Sequence, residues 1–240
     1  MIEPTDAKSF PADGTAVVIG ASGGIGAALC ARLEAQSDHL DVIGLSRRSD
    51  PPLDVTDEGS VRAAAEHVKA LGGDLRLVID ATGFLHDDDF GPEKSWSQLD
   101  PEHMAKAFAV NATGPALLMK HFLPLLPRKD KSVFATLSAR VGSIEDNRLG
   151  GWYSYRASKA ALNQFVRAAS IELHRRSKEA VCVALHPGTV DTRLSAPFGK
   201  AGLNVRAPDD AAGELLDVIA NLDAEANGGF FDYRGERVPW

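Results

Sequence analysis

The sequence predicts an α/β fold: a doubly wound parallel sheet with helices on both faces. Three observations predict it. Short apolar runs alternate with longer amphipathic stretches along the chain, the pattern of strands joined by crossover helices. A glycine-rich turn, "GASGGIG" at 20–26, joins the first apolar run to the first amphipathic stretch. The irregular stretches 82–100, 139–151 and 187–207 each follow an apolar run. They therefore lie beyond the carboxyl ends of strands, where such sheets bind ligands.

The elements read in order as follows. "TAVVIG" (15–20) is the first strand, and a helix follows from about Gly24 to Ala35. "LDVIGLS" (40–46) is the second strand, with a helix near 57–71, and "LRLVIDA" (75–81) is the third. A long helix begins with Pro101 in its first turn and runs to about Leu126, with an interruption expected near Gly114-Pro115. "KSVFATLS" (131–138) is the fourth strand, before a helix over about 152–177. "AVCVALHPG" (180–188) is a strand and turn. "PDDAAGELLDVIANL" (208–222) has Pro and Asp in a first helical turn, and "GGFFDY" (228–233) closes the series as a short strand.

The bulk numbers bound the rest. At 240 residues, 44% hydrophobic and 25% charged, the chain suits one α/β domain, 1–240. A formal net charge of −7 gives nucleic acid no bulk attraction. No apolar run approaches a membrane span, and the polar start "MIEPTDAKSFPADG" lacks a signal-peptide core. A cytoplasmic protein with no nucleic-acid or membrane partner is expected. Cys30 and Cys182 form no ligand spacing and read as free thiols. "HDDDF" (86–90) reads as a solvated acidic loop, with no metal site expected.

The glycine turn carries the first functional reading. Gly20, Gly24 and Gly26 permit a tight turn and a close backbone approach to a ligand. The helix that follows, through Gly24, Ile25 and Gly26, offers free N–H groups and a positive dipole end to a pyrophosphate, and Ser22 adds a hydroxyl. The spacing is GxxxGxG.

The ribose end comes next. Asp41 has the usual offset for an acidic ribose ligand but sits at the wrong end of the second strand. The carboxyl end instead carries Ser46, Arg47 and Arg48, a set that suits a 2′-phosphate because arginine forks onto phosphate oxygens. NADP(H) is therefore favoured over NAD(H). In "LDVTD" (53–57), Asp54 and Val55 are placed to meet adenine, while Thr56 or Asp57 caps the next helix.

The second functional reading is "YSYRASKA" (153–160). Tyr155 and Lys159 stand at i and i+4, so on a helix they share a face. Tyr153 has Ala157 at that offset. Tyr233 has Arg237 there, near the last strand. A positioned phenol can give a proton to a carbonyl oxygen while hydride reaches carbon. A nearby ammonium is expected to lower the phenol's pKa. Asn111 falls inside the long helix, where it competes for backbone bonds and could open the helix around a water.

With these residues in view, the chain resembles the short-chain dehydrogenase/reductase family. "GASGGIG", "DATG" (80–83), "VNATG" (110–114), "YRASK" (155–159) and "HPGTVDT" (186–192) occur in that family's order and span nearly the whole chain. "DATGFLH", "LSARVGSI" and "RGERVPW" are similar to the C-factor-like subgroup, related to sniffer-type carbonyl reductases.

The resemblance implies a Rossmann fold with a seven-stranded parallel sheet and NADP(H)-dependent transfer of hydride between nicotinamide and a carbonyl or alcohol. It implies Tyr155 as acid/base, Lys159 as its partner and Asn111 as holder of a relay water. Ala81 and Gly83 would flank the adenosine ribose. Pro187, Gly188, Val190 and Thr192 would clasp the nicotinamide. A homo-dimer or homo-tetramer through the long helices is implied as well.

Two departures stand out. The family's NNAG is Asp80-Ala81-Thr82-Gly83 here, and its serine three residues before Gly142 is Ala139. Ser138 and Ser143 are the neighbouring candidates for that hydroxyl. The alternative reading is a cofactor-binding signalling or regulatory protein with weak or no turnover.

Overall fold

The computed structural model describes residues 13–36, 40–196 and 205–240. Strands β1 (Gly14–Ile19), β2 (Leu40–Leu45), β3 (Leu75–Asp80), β4 (Ser132–Leu137) and β5 (Ala180–His186) are followed by a two-residue pair, β6 (Thr189–Val190) and β7 (Val205–Arg206), and by β8 (Phe230–Asp232). The main sheet has the order β2-β1-β3-β4-β5-β8, and each of its pairings is parallel. Helices α1 (Gly24–Gln36), α2 (Glu58–Leu71), α3 (Pro101–Phe108), α4 (Gly114–Phe122), α5 (Tyr153–Arg176) and α6 (Pro208–Asn221) connect the strands.

The two faces of the sheet are buried separately. Leu29 and Leu33 of α1 and Leu215 and Ile219 of α6 cover one face. Val61 of α2, Phe122 of α4 and Leu162 and Val166 of α5 cover the other. β3 and β4 are buried along their whole length, as central strands covered on both faces should be. β2 is only partly buried, as an edge strand should be.

The main sheet has six strands, one fewer than the family resemblance implied. The missing strand would lie outside β2. A parallel neighbour there needs a crossover of roughly a dozen residues plus the strand itself. Here residues 46–57 pass directly from β2 to α2 as turns. α2 then leads to β3 on the far side of β1.

The long helix is interrupted beside Gly114-Pro115, as expected, and the opening contains Asn111. A wide π turn spans Ala109–Thr113, ahead of Gly114-Pro115, which open α4. Gly114 is required for a different reason: a Cβ there would lie 2.8 Å from the Val55 side chain. The cysteines are free, and burial pushes the Cys182 thiol up to about 12. No helix of the described residues is long and apolar enough to cross a membrane.

Candidate active site

The glycine turn leaves β1 at Gly20, whose φ of +84° favours glycine. A Cβ on Gly26 would stand 2.2 Å from the Gly20 carbonyl oxygen, so the first turn of α1 can fold against the loop only without a side chain. Ser22 and Gly24 are exposed, and Ile25 is partly buried. Above Gly24 lies Thr192, whose methyl group would be 3.0 Å from an added Cβ. Thus the turn after β1 and the segment after β5 meet across the carboxyl edge of the sheet.

Beyond β2, the Ser46 hydroxyl accepts from the Arg48 N–H at 3.1 Å. Arg47 and Arg48 are exposed, and their guanidinium groups have no hydrogen bond or ion pair among the described residues. Asp41 is at the opposite end of β2, paired with Thr15 near the start of β1. Asp54 Oδ1 accepts from the Thr56 N–H at 2.9 Å and the Thr56 hydroxyl at 2.7 Å, which hold its carboxyl below the usual range. Val55 is buried against Gly114, and Asp57 caps α2 by accepting from the Gly59 N–H. A phosphate-bearing dinucleotide fits this edge: a cradle that Cβ atoms would fill, and two exposed guanidinium groups without a hydrogen bond among the described residues.

At the other end of the edge the side chains are buried and bonded. Lys159 is 2% exposed, and its Nζ donates to the Leu137 carbonyl at 2.7 Å. Gly142 makes that burial possible, since a Cβ there would lie 2.7 Å from Lys159 Cβ. Gly83 lies beside the same amine: an added Cβ would be 4.0 Å from Lys159 Nζ, 3.8 Å from Asn111 Oδ1 and 4.0 Å from Leu194. Ala81 directly follows β3 and donates its N–H across to the Ile19 carbonyl of β1.

Asn111 is fully buried in the π turn. Its Oδ1 accepts from the Phe84 N–H and its Nδ2 donates to the Phe84 carbonyl, both at 2.7 Å. Nδ2 also donates to Ser158 Oγ at 3.1 Å, and Ser158 donates to the Tyr155 carbonyl. The helix thus widens where a buried amide is needed for other partners.

Tyr155 is half-buried, with Lys159 Nζ 6.0 Å from its ring centroid. Burial pushes the phenol up to about 12, opposite to the lowering expected from the ammonium. The reason is geometric: the amine is bonded to a main-chain carbonyl rather than to the phenol oxygen. Burial in turn pulls Lys159 down to about 8, against the opposing pull of Asp80. Asp80 is fully buried, accepting from Thr82 and from Thr136 at 2.7 Å.

The two candidate serines have partners of their own. Ser138 donates to Asn163 Oδ1 at 2.7 Å. Ser143 donates to the Trp240 carbonyl at 3.3 Å and accepts from the Asp146 N–H. Ala139, between them, is buried at the end of β4.

After β5, Pro187 and Gly188 turn the chain, with Gly188 at φ +75° against the Tyr233 ring. Val190 is buried, and its carbonyl accepts from the Ser195 hydroxyl. Among the apolar residues expected near substrate, Leu194 reaches Gly83 and Trp152 meets the Tyr155 ring edge at 6.2 Å. Trp96 is 77% exposed, and Phe198 lies outside the described residues. Sequence reasoning missed Ser158 and the carboxylate of Asp80. Ser158 had a local signal, three residues after Tyr155 on the same helix; Asp80 acquires its relation to Lys159 only in the folded sheet.

Residues 7–216 match the family model described as enoyl-(acyl carrier protein) reductase. The chain is 32% identical to the 1-hydroxy-2-glutathionyl-2-methyl-3-butene dehydrogenase of Rhodococcus sp., over 94% of this chain and 99% of that protein. It belongs to the short-chain dehydrogenase/reductase family of oxidoreductases. It is also 42% identical to the C-signal protein of Myxococcus xanthus, over 59% of this chain and 81% of that one. Among solved structures, the NADPH-bound carbonyl reductase from chicken fatty liver is similar with a TM-score of 0.82 at 28% identity, covering 96% of this chain and 100% of that one.

Proposed function

We propose that the chain is an NADP(H)-dependent oxidoreductase that interconverts a carbonyl and an alcohol, with Tyr155 as acid/base. One observation carries this reading: Tyr155, Lys159, Asn111 and Gly83 converge on one end of an edge whose other end is a glycine cradle with two exposed arginines. NADPH bound along that edge supplies the hydride. Arg47 and Arg48 hold the 2′-phosphate, the Gly20–Gly26 turn receives the pyrophosphate, and Ser46, Asp54 and Val55 border the adenosine. Ala81 and Gly83 border the ribose, and the Pro187–Thr192 segment borders the nicotinamide.

The proton comes from Tyr155. With its pKa raised to about 12, the phenol is protonated at neutral pH and serves as the donor to the carbonyl oxygen as hydride reaches the carbon. Lys159, at about 8, remains mostly charged at pH 7 and stabilises the phenolate that results. Asn111 holds the Phe84 main chain and, through Ser158, the Tyr155 carbonyl. Ser138 or Ser143 would serve the substrate oxygen only after leaving its present partner. One domain carries both sites. The substrate is a small carbonyl or alcohol compound with an apolar body, met by Leu194 and Trp152. Phe165 and Ile171, exposed on α5, support assembly through the long helices as a homo-dimer or homo-tetramer.

A panel of aldehydes and ketones, each with NADPH and with NADH, tests the reading. Turnover with NADPH in preference to NADH is expected. A clear NADH preference removes the arginine argument. A second reading, a cofactor-binding signalling or regulatory protein, is favoured by Ala139 and by the likeness to C-signal. Tight NADPH binding without turnover on the whole panel selects it.

A further inference from the structure

We propose that Glu93 is a positioning residue for Tyr155: from the loop after β3 it clamps the first turn of α5, the turn from which the phenol projects. The inference rests on the acid/base role proposed above.

Helix α5 has no cap of its own. Trp152 occupies the N-cap position without a side-chain cap bond, at φ 52° and ψ 42°. It completes a left-handed run with Gly150 at φ +63° and Gly151 at φ +65°. A bulky residue in that region is strained and persists only where its surroundings fix it. The helix also begins with N–H groups that lack intrahelical acceptors and with the positive end of its dipole.

Glu93 meets each of these needs. It is 3% exposed. Its main-chain carbonyl accepts from the Trp152 N–H. Its carboxylate accepts from the Ser154 N–H, with Oε1 at 3.3 Å and Oε2 at 3.2 Å, and from the Ser154 hydroxyl. One residue therefore grips both neighbours of Tyr153, and Tyr155 follows directly after Ser154. A carboxylate is buried only where such donors surround it.

The grip is braced from behind. His103 of α3, also 3% exposed, places Nδ1 3.4 Å from Glu93 Oε1. Its ring stacks on Phe90 at 5.0 Å and meets the Phe84 edge at 6.0 Å. Phe84 is the residue whose main chain Asn111 holds. Tyr155 is thus fixed from both sides by one loop: through Glu93 and Ser154 before it, and through Asn111 and Ser158 after it. Ser154 and His103 both address the same carboxylate, an arrangement for holding a backbone rather than for activating a nucleophile.

The test is steady-state kinetics on the full chain with NADPH and the best carbonyl of the panel, using Glu93→Ala and Glu93→Gln. Glu93→Ala is expected to lower kcat by about tenfold or more, since a small displacement of a reacting group has large effects. KM for NADPH should stay within about twofold, because the nucleotide cradle lies on other elements. Glu93→Gln keeps an acceptor for Ser154 and should recover part of the loss. Wild-type kcat in Glu93→Ala overturns the proposal, as does a fall in NADPH affinity equal to the fall in kcat. If Glu93→Ala is insoluble, Glu93→Gln decides, and unchanged kcat there overturns it. A wild type without turnover overturns this inference and the acid/base role together. Turnover that requires Tyr155 but ignores Glu93 overturns this inference alone.

Discussion

At the β1–β2 end of the sheet's carboxyl edge, Ser22, Arg47 and Arg48 are exposed, and the two guanidinium groups have no hydrogen bond among the described residues. At the β4–β5 end, Lys159, Asn111, Ser138 and Ser143 are buried, and each is hydrogen-bonded within the chain. The first end is arranged to gain partners from a ligand. The second is preorganised by partners it already has. Preorganisation suits proton transfer, where geometry must be set before substrate arrives. Open donors suit phosphate, which brings its own charge and acceptors.

The largest expected effect tests the preorganised end. Tyr155→Phe should lower kcat by about 10²–10⁴, the usual worth of a positioned acid/base, with NADPH affinity unchanged by fluorescence titration. Full activity in that variant would remove the role given to the phenol.

Burial of Lys159 has a consequence for stability against pH. Its folded pKa is about 8 against an ordinary 10.5. Between those values the unfolded chain keeps a proton that the folded chain has released, so stability rises with pH across that window, by about 3 kcal/mol at full effect. Tyr155 acts in the opposite sense: from pH 10 to about 12 the folded chain keeps the phenol proton, and stability falls. Urea unfolding of wild type and Lys159→Met from pH 7 to 10 isolates the lysine. The variant should lack the rise, and a wild-type profile as flat as the variant's would contradict a buried ammonium.

The open end is tested by smaller changes. Gly26→Ala forces a methyl group to 2.2 Å from the Gly20 carbonyl oxygen, so the turn must shift. A loss of about 1–3 kcal/mol in unfolding free energy, with weaker NADPH binding, is expected. Arg47→Ala should raise KM for NADPH about tenfold and leave KM for NADH nearly unchanged, the loss of one charge-assisted contact. Equal effects on both cofactors would mean that Arg47 does not touch the 2′-phosphate.

Much of the open end was legible in the sequence because its parts are adjacent in the chain. Gly20, Gly24 and Gly26 fall within one turn, and Ser46, Arg47 and Arg48 follow one strand. The Tyr155–Lys159 pair was legible for the same reason, a spacing within one helix. The residue-by-residue reading found six strands, the number in the main sheet, and only the family resemblance added a seventh. The break in the long helix was legible from Asn111 and the adjacent Gly114-Pro115, but the partners that cause it were not. Asn111 turns its amide to Phe84 and Ser158, from two other segments, and nothing near residue 111 announces them.

By itself the sequence determined the alternation of strands and helices, the glycine cradle with its arginines, and which tyrosine has a lysine on its face. These depend on spacing along the chain, which the backbone converts directly into geometry. Only the tertiary structure decided that Lys159 bonds to Leu137 rather than to the phenol, that Asp80 lies near its charge, that Ser138 and Ser143 have other partners, and that Glu93 holds the start of α5. A buried polar group must be satisfied by whatever packing brings to it, and packing joins residues tens of positions apart.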